Sequence, residues 1–215
     1  MDINDILQIK KLIIKYGKKL GEKNMSPASS GNISVRIGEN TLISASGTCL
    51  WDLTENDIVL TDLDANVLEG DKKPSSEKNL HNAIYKLRSD INAIIHCHSP
   101  YASAFAVCHV PLSKPIISEN VFYFGEIPVA DYALPGSDKL VENAAKYFVH
   151  HDAVLLANHG IIIGAKDIKT AYCLIETAET YAQIYLNSMV LGGAKELSKK
   201  DTEEIYALRK SVKTV

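Results

Sequence analysis

The run Ile91-Asn92-Ala93-Ile94-Ile95 is short, rich in β-branched residues and bounded by Asp90 and Pro100, and it leads directly into His96-Cys97-His98. Such a run reads as a strand. In a strand, residues i and i+2 point to the same face. His96 and His98 therefore present two imidazoles side by side, while Cys97 points the other way and reads as a small core residue. The fold is thus constrained to place a strand end where two imidazoles share one face. A His-x-His pair alone is weak evidence for a metal. A third histidine, in Ala157-Asn158-His159-Gly160, ends another apolar run and strengthens it, and Glu77 follows a serine pair. Three histidines and one carboxylate are the ligand count of a catalytic zinc site with a replaceable position. On spacing alone, the favoured reading of Glu77 is an acid capping the start of a helix. Beside zinc it becomes a ligand, a general base, or each in turn.

The segments around these residues alternate between strand and helix patterns. Residues 3 to about 22 repeat apolar positions at helical spacing, with Gly21 as the expected stop. Residues 32–37 and 41–44 read as a hairpin, as do 58–61 and 67–69. Helices are expected over 77–87, with a serine as N-cap, and over about 101–107, 137–148, 168–189 and 201–210. Residues 116–123 and 127–129 look extended, and 153–156 and 161–163 are strands flanking Asn158-His159-Gly160. Front-end hairpins mixed with helices indicate an α/β fold with a mixed, largely antiparallel sheet flanked by helices. The 215 residues show no Pro/Gly linker and no repeat, so residues 1–215 are expected to form one domain. A chain of this size buries roughly 70% of its unfolded surface, enough for a real core.

Charge narrows the function classes. The formal net charge is −3, with 23 basic and 26 acidic residues spread along the chain, which offers neither a nucleic-acid nor a membrane surface. The lysines at 10, 11, 15, 18 and 19 lie on a helical pattern and read as its solvated face. Met1-Asp2-Ile3-Asn4-Asp5 is polar and acidic, unlike a secretory start, and no apolar run approaches the ~20 residues needed to span a bilayer. Cys49, Cys97, Cys108 and Cys173 form no Cys-x-x-Cys pair. These features point to a reducing, cytoplasmic setting.

Three loops are small and rich in hydrogen-bond donors: Gly31-Asn32, Ser46-Gly47-Thr48 and Ser75-Ser76. Hydroxyls, an amide and exposed backbone N–H groups make an anion site without a lysine. Singly, each loop is an ordinary turn. Beside a metal site, they suggest a small phosphorylated substrate.

Taken in order, Gly31-Asn32-Ile33-Ser34, Ser44-Ala45-Ser46-Gly47-Thr48, Pro74-Ser75-Ser76-Glu77, His96-Cys97-His98 and Asn158-His159-Gly160 resemble the class II, zinc-dependent aldolase/adducin-head family of the L-fuculose-1-phosphate aldolase type. The resemblance spans essentially the whole chain. It implies one Zn2+ per subunit on His96, His98 and His159, with Glu77 as catalytic acid/base that also touches the metal when substrate is absent. It implies a phosphate pocket from Ser29, Asn32, Ser46, Gly47, Ser75 and Ser76, and a role for Tyr206 near the aldehyde end. It also implies a homotetramer with active sites between subunits. The implied reaction is reversible cleavage of a ketose 1-phosphate into dihydroxyacetone phosphate and a small aldehyde such as lactaldehyde. The metal serves as electron sink, and no Schiff-base lysine is needed.

One departure concerns the aldehyde end. The family's interfacial tyrosine falls here near Ile117, which carries no transferable proton; Glu119 and Tyr123 are the nearby substitutes. Related ribulose-5-phosphate 4-epimerases generally carry aspartate where Glu77 stands and another near Val121, and this chain has neither. A methylthioribulose-1-phosphate dehydratase-like lyase and a non-catalytic adducin-like binding module are the other readings. The retained histidines and Glu77 weigh against the module.

Overall fold

The computed structural model describes residues 3–213; of the polar start, Met1 and Asp2 lie outside the described residues. The strands are β1 (Asn32–Ile37), β2 (Asn40–Ser44), β3 (Ile58–Asp62), β4 (Val67–Glu69), β5 (Ala93–Cys97), β6 (Val129–Ala130), β7 (Ala153–Leu156) and β8 (Gly160–Ala165). They form one sheet in the order β4-β3-β2-β1-β5-β8-β7-β6. Every neighbouring pair is antiparallel except β6 and β7. The mixed, largely antiparallel sheet expected from the sequence is the one observed.

The helices are α1 (Ile3–Glu22), α2 (Lys78–Leu87), α3 (Pro100–Val107), α4 (Ser118–Tyr123), α5 (Asp138–Ala145), α6 (Ile168–Val190) and α7 (Lys199–Lys213). None is long and apolar enough to cross a membrane. They cover the sheet on both faces. Ala93, Ile95 and Cys97 of β5 enter one core with Ile13 of α1, Phe105 of α3 and Ile175 of α6. Ile94 enters a second core with Leu80 and Ile84 of α2 and Leu140 of α5. Burial on both faces explains why β7 and β8 read as unbroken apolar runs instead of alternating ones. His96 shares the face of Ile94, so the strand period turns its imidazole toward α2.

Several expectations are corrected. Residues 118–123 are helical, not extended. This β-branched and aromatic segment is too short to show a helical period, and packing of α4 against α6 and α7 overrides its strand preference. The helix expected over 137–148 is split: α5 ends at Ala145, and Lys146–Val149 tighten into a 3-10 turn. Glu77 is the N-cap residue of α2 and not part of its first turn, and its side chain makes no cap bond. The expected serine N-cap is instead a local bond, Glu77 N–H to Ser75 Oγ at 3.2 Å. Gly21 does not stop α1. The stop is a Schellman closure at Asn24 (φ 55), with Met25 N–H bonding the Leu20 carbonyl at 2.9 Å and Asn24 N–H bonding the Gly21 carbonyl at 2.9 Å.

Glycine is needed in α1 for packing. A Cβ at Gly21 would lie 2.2 Å from Trp51 Cβ, and one at Gly17 would lie 2.4 Å from the Leu50 carbonyl oxygen. Gly17→Ala is therefore expected to destabilise the protein by about 1–3 kcal/mol through overpacking, although alanine is the better helix former. Urea unfolding checks this; equal or greater stability would mean that α1 can shift off the Leu50 turn.

Candidate active site

β5 ends at Cys97, but the alternation persists one residue further. His96 Nε2 and His98 Nε2 lie 3.0 Å apart. The turn between β7 and β8 supplies His159. The three ring centroids form a nearly equilateral triangle with sides of 4.9, 4.6 and 4.8 Å. One ring nitrogen from each lies within 4.8 Å of the others. Close approach of two backbones makes this possible. A Cβ on Gly160 would lie 2.5 Å from the Cys97 carbonyl oxygen and 2.9 Å from His98 Cδ2. Gly31, at φ +76, passes so near β5 that a Cβ would lie 2.6 Å from the His96 carbonyl oxygen. Asn158 adopts φ 54 just before His159, and its Oδ1 accepts a 2.7 Å bond from His109 Nε2.

Glu77 completes the cluster from the other side. Its carboxylate lies 3.3 Å from His96 Nε2 and 3.6 Å from His159 Nε2. Asn32 Nδ2 donates to Oε2 at 3.0 Å, while Oε1 is buried without a partner. The capping explanation of Glu77 therefore fails, because its side chain is turned into the site. Burial alone would raise the Glu77 carboxyl, but the adjoining His96 and His159 and the Asn32 amide outweigh it and hold the group down at about 2. The imidazoles move the other way, because burial disfavours the cation. His159 falls to about 4, with His96 beside it adding to the effect, and His96 and His98 are also lowered. Neutral imidazoles around an ionised carboxylate are the protonation states that bind a divalent cation. His96 Nδ1 lies 3.0 Å from the Ile161 carbonyl. Donation there leaves Nε2 with its lone pair free to ligate. The donor set and the unpartnered buried Oε1 fit a cation of this kind.

The donor-rich loops lie together at one edge of this site. An isolated bridge pairs Ala45 with Pro74. Ser46 N–H bonds the Lys73 carbonyl at 2.8 Å, and Ser75 N–H bonds the Ser44 carbonyl at 3.1 Å. Ser46-Gly47 and Ser75-Ser76 are thus adjacent, with Gly47 at φ +76 in an exposed turn. Asn32 connects to them through Glu77. Ser29 is exposed on the loop that enters β1. Gly136 sits directly over Ser76, a neighbour that the sequence did not reveal.

Tyr206 makes its described contacts elsewhere in this chain. Tyr206, on α7, has its hydroxyl against Gly125, and Arg209 one turn on reaches Asp152 Oδ2 at 3.7 Å. Asp152 precedes β7 and His159 follows it, so Arg209 meets the end of β7 opposite the histidines, and the contacts described for Tyr206 do not include them. Ile117 is half-buried at the N-cap of α4. The helical form of α4 sets Glu119 and Tyr123 one turn apart, both exposed. Cys97 is buried in the core opposite the site, and burial pushes its thiol up to about 12. Glu179 went unnoticed in the sequence. From α6 its carboxylate accepts the Tyr101 and Ala102 N–H groups at 2.9 and 2.8 Å, capping α3 just after His98. Only its charge on an otherwise apolar helix face hints at this.

The family described as Class II Aldolase and Adducin N-terminal domain matches residues 11–186. A 5-deoxy-D-ribulose 1-phosphate aldolase of Bacillus thuringiensis serovar kurstaki is 38% identical over 196 residues, covering 90% of this chain and 91% of the relative. A 3-oxo-tetronate 4-phosphate decarboxylase of Haemophilus influenzae is 32% identical over 207 residues, covering 94% and 96%. A solved structure of an L-fuculose 1-phosphate aldolase superposes with a TM-score of 0.89 at 36% identity, covering 94% of this chain and 96% of that one.

Because the fit depends on close backbone approach, Gly160→Ala is expected to weaken divalent-metal binding by about tenfold or more. Competition against a chromophoric chelator measures it. Unaltered affinity would show that β8 can retreat without disturbing the three rings.

Proposed function

The chain belongs to the Class II Aldolase and Adducin N-terminal domain family, and on that premise we propose that it is a metal-dependent aldolase acting on a ketose 1-phosphate. The products are dihydroxyacetone phosphate and a small aldehyde such as lactaldehyde. One observation carries this reading: three neutral imidazoles converge beside a buried, ionised Glu77. The Bacillus relative and the superposed structure are both named for ketose 1-phosphates, which supports the substrate class.

The proposed metal ligands are His96, His98 and His159, with Glu77 as a fourth before substrate arrives, and zinc at one per subunit is the proposed ion. Such a cation supplies Lewis-acid polarisation of the substrate carbonyl, drawing off the electron pair released on carbon–carbon cleavage. Glu77 is the proposed acid/base. Its Oε1 has no partner and is ionised, so it is free to take the proton from the carbon beside the carbonyl in condensation and return it in cleavage. Asn32 holds Oε2 and fixes the direction of Oε1. Ser29, Asn32, Ser46, Gly47, Ser75 and Ser76 are the proposed phosphate pocket, and the pairing of the two serine loops supports it. Glu77 and His96 are buried, which limits the access of bulk water to the acid/base.

A homotetramer with active sites between subunits is part of the proposal. The contacts described for Tyr206, which do not include its own histidines, support it, since its proposed catalytic role then requires a neighbouring protomer. Glu119 and Tyr123, on the exposed side of α4, are proposed for the aldehyde-oxygen proton that Ile117 cannot transfer. Four free cysteines suit the proposed cytoplasmic setting. The 4-epimerase reading is disfavoured because Val121, where those enzymes carry aspartate, is buried in α4.

Zinc-loaded protein is expected to release dihydroxyacetone phosphate from L-fuculose 1-phosphate or 5-deoxyribulose 1-phosphate in a coupled assay. A chelator should abolish release and zinc restore it. Turnover of ribulose 5-phosphate to xylulose 5-phosphate, or release of carbon dioxide from a 3-oxo acid phosphate, with no ketose 1-phosphate cleaved, would replace this reading. Glu77→Gln is expected to keep about one zinc while losing about 100-fold or more in kcat. Metal retained after joint replacement of His96 and His98 would favour a binding module.

A further inference from the structure

Beneath Glu77 lies a buried polar chain that the mechanism above does not use. Ser34 Oγ is 2.7 Å from His81 Nδ1 and 2.7 Å from Tyr85 Oη. All three side chains are fully buried or nearly so. Ser34 stands two residues after Asn32 on β1, and His81 stands one turn after Glu77 on α2. Asn32–Glu77 and Ser34–His81 are therefore successive rungs between the same two elements. His81 Nε2 is buried without a partner, and so is Glu77 Oε1.

Counting protons gives this chain a direction. The Tyr85 hydroxyl has one proton, and among the described residues the side-chain acceptor it touches is Ser34 Oγ. Ser34 Oγ has two lone pairs, but accepting from both Tyr85 and His81 would leave its own proton without a partner among the described hydrogen bonds; with Tyr85 donating, the serine proton therefore points to His81 Nδ1, which is then the unprotonated nitrogen. The opposite direction strands the tyrosine proton in the core, which costs about 1–3 kcal/mol. A neutral imidazole carries one proton, and the His81 ring is fully buried with no carboxylate bonded to it, so it is held neutral. That proton then sits on Nε2.

We propose that Tyr85, Ser34 and His81 form a one-way hydrogen-bond relay that locks His81 as the Nε2–H tautomer and presents a buried donor to the Glu77 carboxylate. His81 is thus a positioning residue acting through Glu77. The two groups do not bond directly, and one buried water is the shortest link between an orphaned donor and an orphaned acceptor. Asn32 restrains one carboxylate oxygen and His81 the other, so the acid/base keeps one orientation whether or not the metal is engaged. This rests on the role proposed for Glu77.

The decisive measurement is the tautomer of His81 in the metal-free protein, read from long-range 1H–15N correlations and assigned by loss of the signals in His81→Gln. The expected result is a proton on Nε2 in the wild type and a mixture of tautomers in Ser34→Ala. A proton on Nδ1 in the wild type overturns the proposal. In zinc-loaded protein, Ser34→Ala, Tyr85→Phe and His81→Asn are expected to lower kcat about tenfold, with KM and zinc content within about twofold. His81→Gln places an amide N–H near the Nε2 position and is expected to restore at least half of the loss. Wild-type kcat in His81→Asn would refute the relay. Absence of ketose 1-phosphate cleavage by the wild type would instead defeat the aldolase reading, leaving the tautomer to be judged on its own signal.

Discussion

The site depends on a match in length between a strand and a helix. Two residues of β1 advance about 6.6 Å, and one turn of α2, taken as four residues, advances about 6 Å. Residues 32, 34 and 36 therefore meet residues 77, 81 and 85 in step. Asn32 bonds Glu77, Ser34 bonds His81, and Arg36 Nη1 bonds the Tyr85 carbonyl at 3.0 Å with its guanidinium over the Tyr85 ring. One face of β1 is polar along its length, while Ile33 on the other face enters the large apolar core. This polar ladder buries Glu77 beside the histidines.

Burying an ion is expensive unless its charge is answered. Here the cost is offset locally by the Asn32 amide, which donates to Glu77 Oε2 at 3.0 Å. The same burial strips protons from the surrounding imidazoles. Carboxylate and histidines are thus driven to the states a cation requires by their own surroundings. A second buried carboxylate, Glu179, does comparable work outside the site. It fastens α3 to α6 and so fixes the turn that carries His98.

The metal residues were the most legible part of the chain. His96 and His98 could be assigned to one face from strand periodicity, and the rings are 4.9 Å apart. His159 was legible because Gly160 follows it, and the close contact with Cys97 explains why that position tolerates no side chain. Glu77 was misleading, since spacing alone favoured an acid that caps a helix start, and its side chain makes no cap bond. Its turn inward depends on Asn32, 45 residues earlier in sequence. The α4 segment misled because its local preference is for strand, and helical packing against α6 and α7 overruled it. The roles of His81 and Glu179 were not legible, because their partners lie 47 and 77 or more residues away; a charge on an apolar helix face was the one hint at Glu179.

The sequence by itself determined the elements whose periodicity is strong: the alternation that pairs His96 with His98, the hairpins of β1 to β4, and the long amphipathic helices. Those depend on interactions a few residues apart. Only the tertiary structure decided which way Glu77 points, that Ser34 and Tyr85 meet His81, and that the Tyr206 hydroxyl packs against Gly125. Each of these is set by contacts between groups distant in the chain, and burial, which changes their charge states, exists only once the sheet has closed around them.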